Sequence, residues 1–398
     1  MAQAEPRCRD LDRNRSVNSS GMSRQIYAYS PHVTPYNDYL FREVSKQLSG
    51  LTVIYRARAL KSHPWKSAPI EGYRHRFGKN FVGIDWGGIL PPLTDAQALF
   101  WIAGWDSATS FAVLTLSRLL RRDYVVWTDT PNPDRKRGFL RARLRKVWVK
   151  WIFTGARAVM STGEPGVRGV LELGAPNART VNFPFVLDVA KYARSNWRRD
   201  TSVPMKFVSS GRVLNWLKGH DVAIRAFARA STRCGIPFEY VVAGTGPDLE
   251  SLRALADELG VADCVRFIGW TEAADLQELL RNTDVLVHPS PVHDPFPNAV
   301  LEGMAAGMAV LGSAVSGSVI DRVVHGEGGF IHQPGDWEEL SLQIESFLRQ
   351  PELVESMGRT NAGTAQSWPV ERSVNIIRDL AAGRFPATAR KPWVEGKC

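Results

Sequence analysis

The stretch 285-VLVHPSPVHDPFPNAVLEGMAAGMAV-310 contains the pattern of a strand, a proline-rich loop and a helix in direct succession. Its apolar beginning is typical of a buried parallel strand, which we expect to end where Pro289 and Ser290 follow. Asn298 is a candidate N-cap for the helix, and Gly307 stands where a helix commonly stops. We therefore predict a helix N-terminus at the edge of a parallel sheet, where unpaired N–H groups and the positive end of the helix dipole suit a phosphate.

Two carboxylates, Asp294 in the loop and Glu302 in the helix, are separated by seven residues. Each has a purely structural interpretation, because an acidic residue stabilises a helix N-terminus and Asp is a common turn former. The functional alternative is that Glu302 accepts hydrogen bonds from the diol of a ribose while Asp294 contacts a sugar. The spacing alone does not choose between these interpretations.

Two further segments precede this stretch and repeat the order of strand, turn and helix. The first is 207-FVSSGRVLNWLKGHDVAIRAFARA-230, in which Gly211 opens a loop that contains Arg212 and Lys218. The second is 238-FEYVVAGTGPDLESLRALADELGVADCVRFIGW-270, with a Gly-x-Gly-Pro turn between its first strand and its helix. Strands that alternate with helices predict an α/β domain with a parallel sheet.

The motifs follow one another in a fixed order: Gly-Arg-x5-Lys-Gly, Ala-Gly-x-Gly-Pro, Phe-x-Gly, Pro-Ser and Asp-x7-Glu. This order resembles the donor-binding half of the family 4 retaining glycosyltransferases. The resemblance implies the GT-B fold, an α/β architecture in which two Rossmann-like doubly wound domains face each other across a cleft. It also implies a nucleotide sugar as the donor substrate, without a further cofactor.

The resemblance assigns donor-binding roles to particular residues of this chain. Arg212 and Lys218 correspond to the cations that neutralise the donor diphosphate, and fixed cations stabilise the charge that develops on such a leaving group. The family usually has Glu at the position of Asp294, so the shorter side chain changes the reach of its sugar contact. The predicted donor-binding residues are Gly211, Arg212, Lys218, Gly244, Gly246, Phe296, Pro297, Asn298 and Glu302.

Two carboxylates in the first half follow strand-like segments, at the strand ends where ligands bind in open α/β sheets. Asp106 comes after the apolar run 99–103, and Asp129 comes after the run 123–128. Many members of the resembling family carry a functional His near the position of Asp129, and this carboxylate is its nearest polar replacement. An Asx-turn before Pro131 is the structural alternative for Asp129. The predicted catalytic residues are Asp106, Asp129 and Asp294.

The loop after the first strand-like run, 31-PHVTPYND-38, supplies the acceptor candidates. In the resembling family this loop lies between the domains and contacts acceptor or donor. We therefore predict contacts to the acceptor, while N-capping of the following helix by Asn37 or Asp38 stays the alternative. The predicted acceptor-binding residues are His32, Tyr36, Asn37 and Asp38.

The segment 96–120 is apolar over a length that could cross a bilayer. Asp106 interrupts its centre beside Gly104, so we predict a buried strand over 99–103, a turn and a helix instead. No transmembrane span is therefore expected from this segment.

Charge is distributed unevenly along the chain. The whole sequence has a formal net charge of +10, whereas residues 1–200 alone contain 32 basic and 16 acidic side chains. Within 135–153, Leu140, Leu144, Val147 and Trp151 recur at helical spacing between Arg and Lys. Such a basic amphipathic helix suits an anionic membrane surface. A core-facing helix with a solvated basic face is the alternative, and we expect no nucleic-acid partner because the donor motifs already account for the second half.

Length and composition fit two domains, and the cysteines fit a reducing compartment. The four cysteines are scattered without metal-ligand spacing and fit free thiols, and residues 1–22 lack the apolar core of a signal peptide. No Asp-x-Asp pair stands at a predicted strand edge, so no metal is expected.

We predict a disordered extension (1–22), an acceptor-binding Rossmann-like domain (23–188), a linker (189–204), a nucleotide-sugar-binding Rossmann-like domain (205–368), and a helix that crosses back before a tail (369–398).

Together with these features, the resemblance implies an enzyme that moves a hexosyl-type sugar from a nucleotide sugar to an acceptor hydroxyl with retention of configuration. We expect a lipid-linked or growing glycan as acceptor, in surface or exopolysaccharide assembly, and a cytoplasmic protein at the inner face of the membrane. Two alternatives stay open. One is another GT-B activity such as sugar-nucleotide epimerisation, and the other is a non-catalytic protein that binds a membrane or a polyanion.

Overall fold

Two parallel β-sheets, each with helices on both faces, form two α/β domains. The computed structural model describes residues 24–58, 69–78, 80–81, 84–132, 138–194 and 199–390. The predicted extension at 1–22 and the last part of the predicted tail, 391–398, lie outside the described residues. The predicted pair of Rossmann-like doubly wound domains is confirmed.

The first domain is built on a seven-stranded parallel sheet and a small antiparallel ribbon. Its strands are β1 (Ile26–His32), β2 (Leu51–Ala57), β3 (Arg74–Phe77), β4 (Asn80–Phe81), β5 (Ile84–Asp85), β6 (Leu99–Ala103), β7 (Asp123–Thr128), β8 (Ala158–Ser161) and β9 (Thr180–Asn182). The parallel sheet has the order β3-β2-β1-β6-β7-β8-β9, and β4 pairs with β5 in the ribbon. Apolar runs such as that of β6 are buried on both faces, as expected for a sheet between two helix layers.

The helices of this domain are α1 (Pro35–Gln47), α2 (Trp86–Thr94), α3 (Ala108–Leu119), α4 (Phe139–Gly155) and α5 (Gly163–Glu172), with 3-10 turns at Asn177–Arg179 and Val189–Lys191. Helix α1 begins after Thr34, whose hydroxyl accepts a hydrogen bond of 3.1 Å from the backbone N–H of Asn37. Thr34 therefore caps α1, and the suggested capping by Asn37 or Asp38 is wrong, because the helix already starts at Pro35.

Helix α4 turns most of the predicted apolar stripe away from the core, whereas its last member, Trp151, packs against the core. Val149, Ile152 and Phe153 are buried against the sheet, whereas Leu140 is 68% exposed and Leu144 is 63% exposed. The alternative of a helix whose apolar stripe faces the core is therefore wrong for the first turns of α4. Its last turns supply the buried apolar side chains that pack it against the domain.

The second domain has six parallel strands in the order of a Rossmann fold. They are β10 (Met205–Ser210), β11 (Phe238–Ala243), β12 (Val265–Gly269), β13 (Val285–His288), β14 (Ala309–Ser313) and β15 (Gly329–His332), in the sheet order β12-β11-β10-β13-β14-β15. The helices of this half are α6 (Asn215–Lys218), α7 (His220–Cys234), α8 (Leu249–Glu258), α9 (Ala273–Arg281), α10 (Asn298–Ala305), α11 (Gly317–Arg322), α12 (Trp337–Arg349) and α13 (Glu352–Gln366), with a 3-10 turn at Ala262–Cys264.

The last helix, α14 (Val370–Ala381), packs against α1 of the first domain. Arg378 donates a hydrogen bond of 2.9 Å to the side chain of Gln47, and Arg24 donates one of 3.1 Å to the carbonyl oxygen of Ala381. The apolar face of α14 is buried in the same core as α1. The end of the described chain thus contributes to the core of the first domain.

In each sheet the strand order reverses at one place, between β1 and β6 in the first sheet and between β10 and β13 in the second. Ligands of open α/β sheets bind outside the carboxyl ends of the strands at such a place. His32 ends β1 and Gly104 follows β6, while Gly211 follows β10 and His288 ends β13. The topology therefore brings the predicted site residues of both halves to the two sheet edges where binding is expected.

A compact junction joins the domains beside α5. Gly163, the first residue of α5, has a φ of +65°, and the Asp321 carboxylate accepts a hydrogen bond of 2.8 Å from the backbone N–H of Glu164. Asp321 thereby caps a helix of the other domain. The neighbouring Arg322 donates a hydrogen bond of 3.0 Å to the carbonyl oxygen of Phe185. These contacts fix the first domain against the second at this point.

The segment 96–120 forms β6, a turn and α3, as predicted. Asp106 lies in the turn between the two elements. In the described part of the chain, no helix combines the length and the apolar character needed to cross a bilayer.

Replacing Gly163 by Ala is expected to destabilise the domain junction. A Cβ here would lie 2.5 Å from the ring of Phe296 and 2.9 Å from the carboxyl of Asp321, and alanine disfavours the left-handed backbone. We expect unfolding free energy to fall by about 1–3 kcal/mol and the radius of gyration to rise. Denaturant unfolding and small-angle X-ray scattering would measure the two effects.

Gly363→Ala in α13 is the matched control, because no atom lies within 4 Å of its Cβ position. This substitution should leave scattering unchanged and stability unchanged or slightly raised. A Gly163→Ala protein with the scattering and stability of the wild type would contradict the importance of this close contact.

Candidate functional site

A cleft of about 1420 Å³ lies between the two domains. It is bounded by the loops that follow the strands at both reversal points. Of the predicted site residues, those that line it are His32, Tyr36, Asn37, Asp106, Asp129, Gly211, Arg212, Lys218, Gly244, Gly246, Phe296, Pro297, Asn298 and Glu302. The structure thus gathers candidates from both halves of the chain at one site.

Asp38 does not belong to the lining of the cleft. Its carboxylate accepts hydrogen bonds from Arg42 at 2.5 Å and from the Tyr73 hydroxyl at 2.8 Å. The geometry therefore gives no support to the predicted acceptor contact of Asp38. Its neighbour Asn37 is largely buried at the edge of the cleft, with its amide 3.4 Å from the Ser30 hydroxyl.

Asp294 lies behind the cleft wall and holds Lys218. The Lys218 ammonium is 2.5 Å from Asp294 Oδ2, and the same oxygen is 3.0 Å from His288 Nε2 and 3.0 Å from Ser290 Oγ. Asp294 and His288 are both buried. Asp294 is therefore a positioning group for Lys218, and the structure does not support the predicted direct contact with a sugar.

The charge state of Asp294 follows from these contacts. Burial acts to raise the pKa of its carboxyl, but the hydrogen bond from His288 and the charge of Lys218 outweigh burial and hold the pKa well below its usual range. Burial lowers the pKa of His288, while Asp294 acts to raise it, and His288 Nε2 lies 3.0 Å from the ionised carboxylate, to which it donates a hydrogen bond. A carboxylate so firmly ionised does not exchange protons with a substrate near neutral pH.

Glu302 of α10 is hydrogen-bonded to two tyrosines from other parts of the chain, one in α1 and one in the linker. Its Oε1 accepts a hydrogen bond of 2.7 Å from the Tyr36 hydroxyl and one of 3.2 Å from the Tyr192 hydroxyl. Burial raises the pKa of Glu302, while the two tyrosine hydrogen bonds act to lower it. Tyr36, predicted to contact the acceptor, therefore reaches the carboxylate that was predicted to contact the donor ribose.

The loops after β10 and β11 approach each other so closely that only glycine fits at two positions. A Cβ on Gly244 would collide with the carbonyl oxygen of Gly211, and a Cβ on Gly246 with that of Val213. Backbone hydrogen bonds join the loops, including one of 2.9 Å from Val213 N–H to the Thr245 carbonyl oxygen. This packing places Arg212 at the cleft, where its guanidinium is half-buried.

The N-terminus of α10 opens into the same cleft. The helix starts at Asn298 with Pro297 as its N-cap, one residue before the predicted cap. Proline offers no side-chain hydrogen bond, so the first N–H groups of α10 remain available for a ligand. Among the described residues, Asn298 Oδ1 also has no hydrogen-bond partner. Asn298 lines the same cleft as Lys218 and Arg212.

Asp129 lies on the wall of the first domain, exposed to the cleft. Its Oδ1 accepts hydrogen bonds from the Thr130 N–H at 2.8 Å and from the Thr162 hydroxyl at 2.9 Å. Enclosure between the domains raises the pKa of Asp129 to about 6, with a smaller rise from the charge of Asp294. The carboxyl is thus ionised in most molecules at pH 7, and its pKa lies closer to neutral pH than that of an ordinary Asp.

Sequence reasoning missed several residues of the cleft. Trp105 stands next to the predicted Asp106, and Trp270 follows the Phe-x-Gly motif directly. Their position beside predicted site residues could therefore have indicated both tryptophans. Tyr192 lies in the linker and Arg145 lies in the basic helix α4. No local sequence pattern distinguishes either residue from its neighbours. Their positions depend on how distant elements pack.

No group of three or more His, Cys, Asp or Glu side chains in the described part of the chain is placed to hold a metal ion. Cys234 and Cys264 are free thiols, each half-buried. The expectation that no metal and no cofactor is required stays a prediction.

Asp294→Asn is expected to lower the free energy of unfolding by about 3–5 kcal/mol at pH 7, because it leaves Lys218 buried without its charge partner. The pKa of Asp294 is depressed in the folded state, so its contribution is complete above the ordinary Asp pKa of about 4 and is lost as pH falls below it. The difference between wild type and variant should therefore shrink on acidification below about pH 4. Denaturant unfolding at a series of pH values measures it.

Asp257→Asn is the control for this charge change, because Asp257 is exposed on α8. Its effect should stay within about 0.5 kcal/mol at each pH. Equal stabilities of Asp294→Asn and Asp257→Asn at pH 7 would show that the buried pair contributes nothing.

The chain matches the family model described as Glycosyl transferases group 1 over residues 195–363. It is 33% identical to the D-inositol 3-phosphate glycosyltransferase of Streptomyces griseus, over 52% of this chain and only 44% of that protein. It is 30% identical to the uncharacterized glycosyltransferase MJ1607 of Methanocaldococcus jannaschii, over 93% of this chain and 87% of that protein.

Among solved structures, Anabaena Alr3699/HepE in complex with UDP matches with a TM-score of 0.70 at 16% identity, over 90% of this chain and 100% of that chain. At this identity the likeness concerns the fold alone. The relationship to MJ1607 extends over both domains, and the family model covers most of the second. The chain therefore belongs to the glycosyltransferases of group 1 and has the GT-B fold.

Proposed function

We propose that the protein is a retaining glycosyltransferase of family 4 that moves a hexosyl group from a nucleoside diphosphate sugar to an acceptor hydroxyl. The observation that carries this proposal is the cationic end of the cleft. There Lys218, Arg212 and the N-terminus of α10 converge on one space. A lysine held by Asp294, an arginine and a helix N-terminus suit the binding of a diphosphate.

The proposed donor lies with its diphosphate against these groups. As the bond between the anomeric carbon and the phosphate oxygen breaks, negative charge grows on the leaving diphosphate, and Lys218 and Arg212 stabilise it. Because Asp294, His288 and Ser290 already fix Lys218, little reorganisation is needed when that charge develops.

Retention is proposed through attack on the same face of the sugar. The acceptor oxygen bonds to the anomeric carbon on the side that the diphosphate leaves, and the hydroxyl proton passes to the departing phosphate oxygen. Asp129, on the opposite wall and mostly ionised at pH 7, is the proposed acceptor of a hydrogen bond from the reacting hydroxyl or from the donor sugar. Asp106 lines the same wall and is proposed to contact the acceptor.

Glu302 is the proposed ligand of the donor ribose. Its Oε1 already accepts hydrogen bonds from Tyr36 and Tyr192, which hold the carboxylate in place at the cleft. A second carboxylate oxygen has the capacity to accept from a ribose hydroxyl. UDP is the first nucleotide to test, because Anabaena Alr3699/HepE was solved with it.

A lipid-linked or growing glycan at the inner face of the cytoplasmic membrane is the proposed acceptor, in polysaccharide assembly. Helix α4 supports a peripheral membrane position, because Phe139 is 82% exposed and Leu140 is 68% exposed beside the exposed Arg143 and Lys146. Apolar and basic side chains on one exposed surface suit an anionic bilayer. Phe111 of α3, half exposed and stacked on Trp148 at 4.6 Å, extends that surface.

The donor site is tested by thermal shift and hydrolysis assays with a panel of nucleotide sugars. We expect one nucleotide sugar to stabilise the wild type, and Lys218→Ala and Glu302→Ala to weaken its binding by about tenfold or more. Each variant is compared with its own ligand-free form, because both changes also affect the fold. Lys46→Ala, at an exposed lysine of α1, is the control and should bind as the wild type does.

Three other outcomes would change the assignment. Release of free sugar and nucleotide in an acceptor-independent epimerisation would favour a sugar-nucleotide epimerase. Formation of a product with inverted configuration, detected by NMR, would overturn the retaining proposal. If no nucleotide sugar or nucleoside diphosphate stabilised the wild type, the donor site itself would be refuted.

Membrane binding is tested by sedimentation with anionic and neutral vesicles. We expect binding to anionic vesicles that weakens with salt, and a loss of about tenfold or more when Arg143, Lys146 and Lys150 are replaced by Glu, since each charge contributes about 1 kcal/mol. The control reverses three exposed arginines of the second domain: Arg225, Arg253 and Arg359. Equal loss in both triple variants would indicate a general charge effect and contradict a role for α4.

A further inference from the structure

The Glu302 carboxylate belongs to the second domain but is oriented by hydroxyl groups from elsewhere. Tyr36 stands in the first turn of α1, and Tyr192 directly follows the 3-10 turn at Val189–Lys191. Their hydroxyls donate hydrogen bonds of 2.7 Å and 3.2 Å to Glu302 Oε1. Of the two donors, the nearer one therefore comes from the first domain.

Tyr36 has a well-defined position within the first domain. The backbone N–H of the next residue, Asn37, donates a hydrogen bond of 3.1 Å to the Thr34 hydroxyl, which stabilises the first turn of α1. One turn further along, Leu40 and Phe41 are buried in the core. The Tyr36 hydroxyl therefore moves with the first domain, and its contact with Glu302 exists only while the domains are together.

Both tyrosines act as hydrogen-bond donors and leave one carboxylate oxygen for a ligand. Burial is the main cause that raises the pKa of each hydroxyl, and the charge of Glu302 raises both further, so both keep their protons. Oε1 has two lone pairs and already receives two hydrogen bonds. Among the described residues, none donates a hydrogen bond to Oε2, and Glu302 lines the cleft. A ribose hydroxyl therefore has Oε2 as its acceptor.

We propose that Tyr36 is a positioning residue for Glu302, and that selectivity for a ribose over a deoxyribose in the donor depends on this contact between the domains. This inference rests on the proposed function, in which Glu302 binds the donor ribose. Without the Tyr36 hydroxyl, the first domain no longer fixes the orientation of the carboxylate. Glu302 also loses a hydrogen bond that acts to lower its pKa, which disfavours the ionised form, the stronger acceptor.

The proposed diphosphate contacts do not involve Tyr36. Arg212 and Lys218 come from the second domain, and Asp294 of the same domain lies 2.5 Å from the Lys218 ammonium. The cations for the diphosphate are therefore complete within one domain, whereas Glu302 has both its tyrosine donors only when Tyr36 of the other domain is in contact. Loss of the Tyr36 hydroxyl should for this reason change selectivity at the ribose more than binding of the diphosphate.

The test measures dissociation constants by titration calorimetry. UDP, CDP, ADP and GDP are compared first, and the 2′-deoxy and 3′-deoxy forms of the tightest binder are then titrated into the same protein. We expect the wild type to bind at least one deoxy form about tenfold or more weakly than its parent, because that form leaves a charged acceptor unpaired. In Tyr36→Phe, this ratio should fall to about threefold or less, whatever change is common to all the nucleotides.

Tyr39→Phe is the matched control, because Tyr39 is half-buried in the same helix but does not belong to the lining of the cleft. It should keep the wild-type ratio. A second comparison uses Glu302→Ala, in which the ratio should already be low. Adding Tyr36→Phe there should lower it no further, since the effect of Tyr36 passes through Glu302.

Three results would overturn the role of Tyr36. The first is a wild-type ratio in Tyr36→Phe, with or without an equal loss of affinity for every nucleotide, which is the behaviour of a merely structural contact. The second is an equal fall of the ratio in Tyr39→Phe. The third is a further fall when Tyr36→Phe is added to Glu302→Ala.

Failure of this inference is distinguishable from failure of the donor site. A wild type that binds a nucleoside diphosphate but discriminates against neither deoxy form keeps the proposed diphosphate site and rejects recognition of the ribose through Tyr36 and Glu302. A wild type that binds none of the four nucleoside diphosphates rejects the proposed function, and the role of Tyr36 with it.

Discussion

The buried contact between the Lys218 ammonium and the Asp294 carboxylate is the interaction on which the cleft depends. Taking two charges out of water costs several kcal/mol per ion, and attraction offsets this only when other hydrogen bonds satisfy the remaining polar atoms. His288 and Ser290 provide those bonds to Asp294. The result is a lysine that lines the cleft and is held by groups that do not belong to the lining themselves.

The same requirement for fixed geometry explains the contacts between the domains. The Tyr36 hydroxyl of the first domain reaches the buried Glu302 of the second, and Asp321 caps the helix that begins at Gly163. Helix α14 adds a third connection through the core of the first domain. A group-transfer site divided between two domains needs such contacts, because small displacements of either wall separate the reacting groups.

The cleft wall formed by the first domain differs in its side chains from the wall formed by the second domain, which contains Lys218 and Arg212. Helix α4 presents exposed Leu140 and Leu144 to the outside and Arg145 to the cleft, so one element connects the outer surface with the interdomain space. Asp129, with a pKa raised to about 6, and Asp106 line the same cleft as Arg145. A cleft with cations on both walls and carboxylates on the wall of the first domain suits polar ligands that include an anionic group.

The sequence by itself determined the strands, the alternation with helices, the turn that contains Gly244, and Lys218 as a candidate cation of the cleft, because periodicity and motif spacing are local properties. It also placed Asp129 at a strand end. Only the tertiary structure decided that Asp38 turns away to Arg42, that Asp294 lies behind Lys218, and that Arg145 enters the cleft. Those outcomes depend on side-chain directions and on packing between elements far apart in the chain, which no local pattern records.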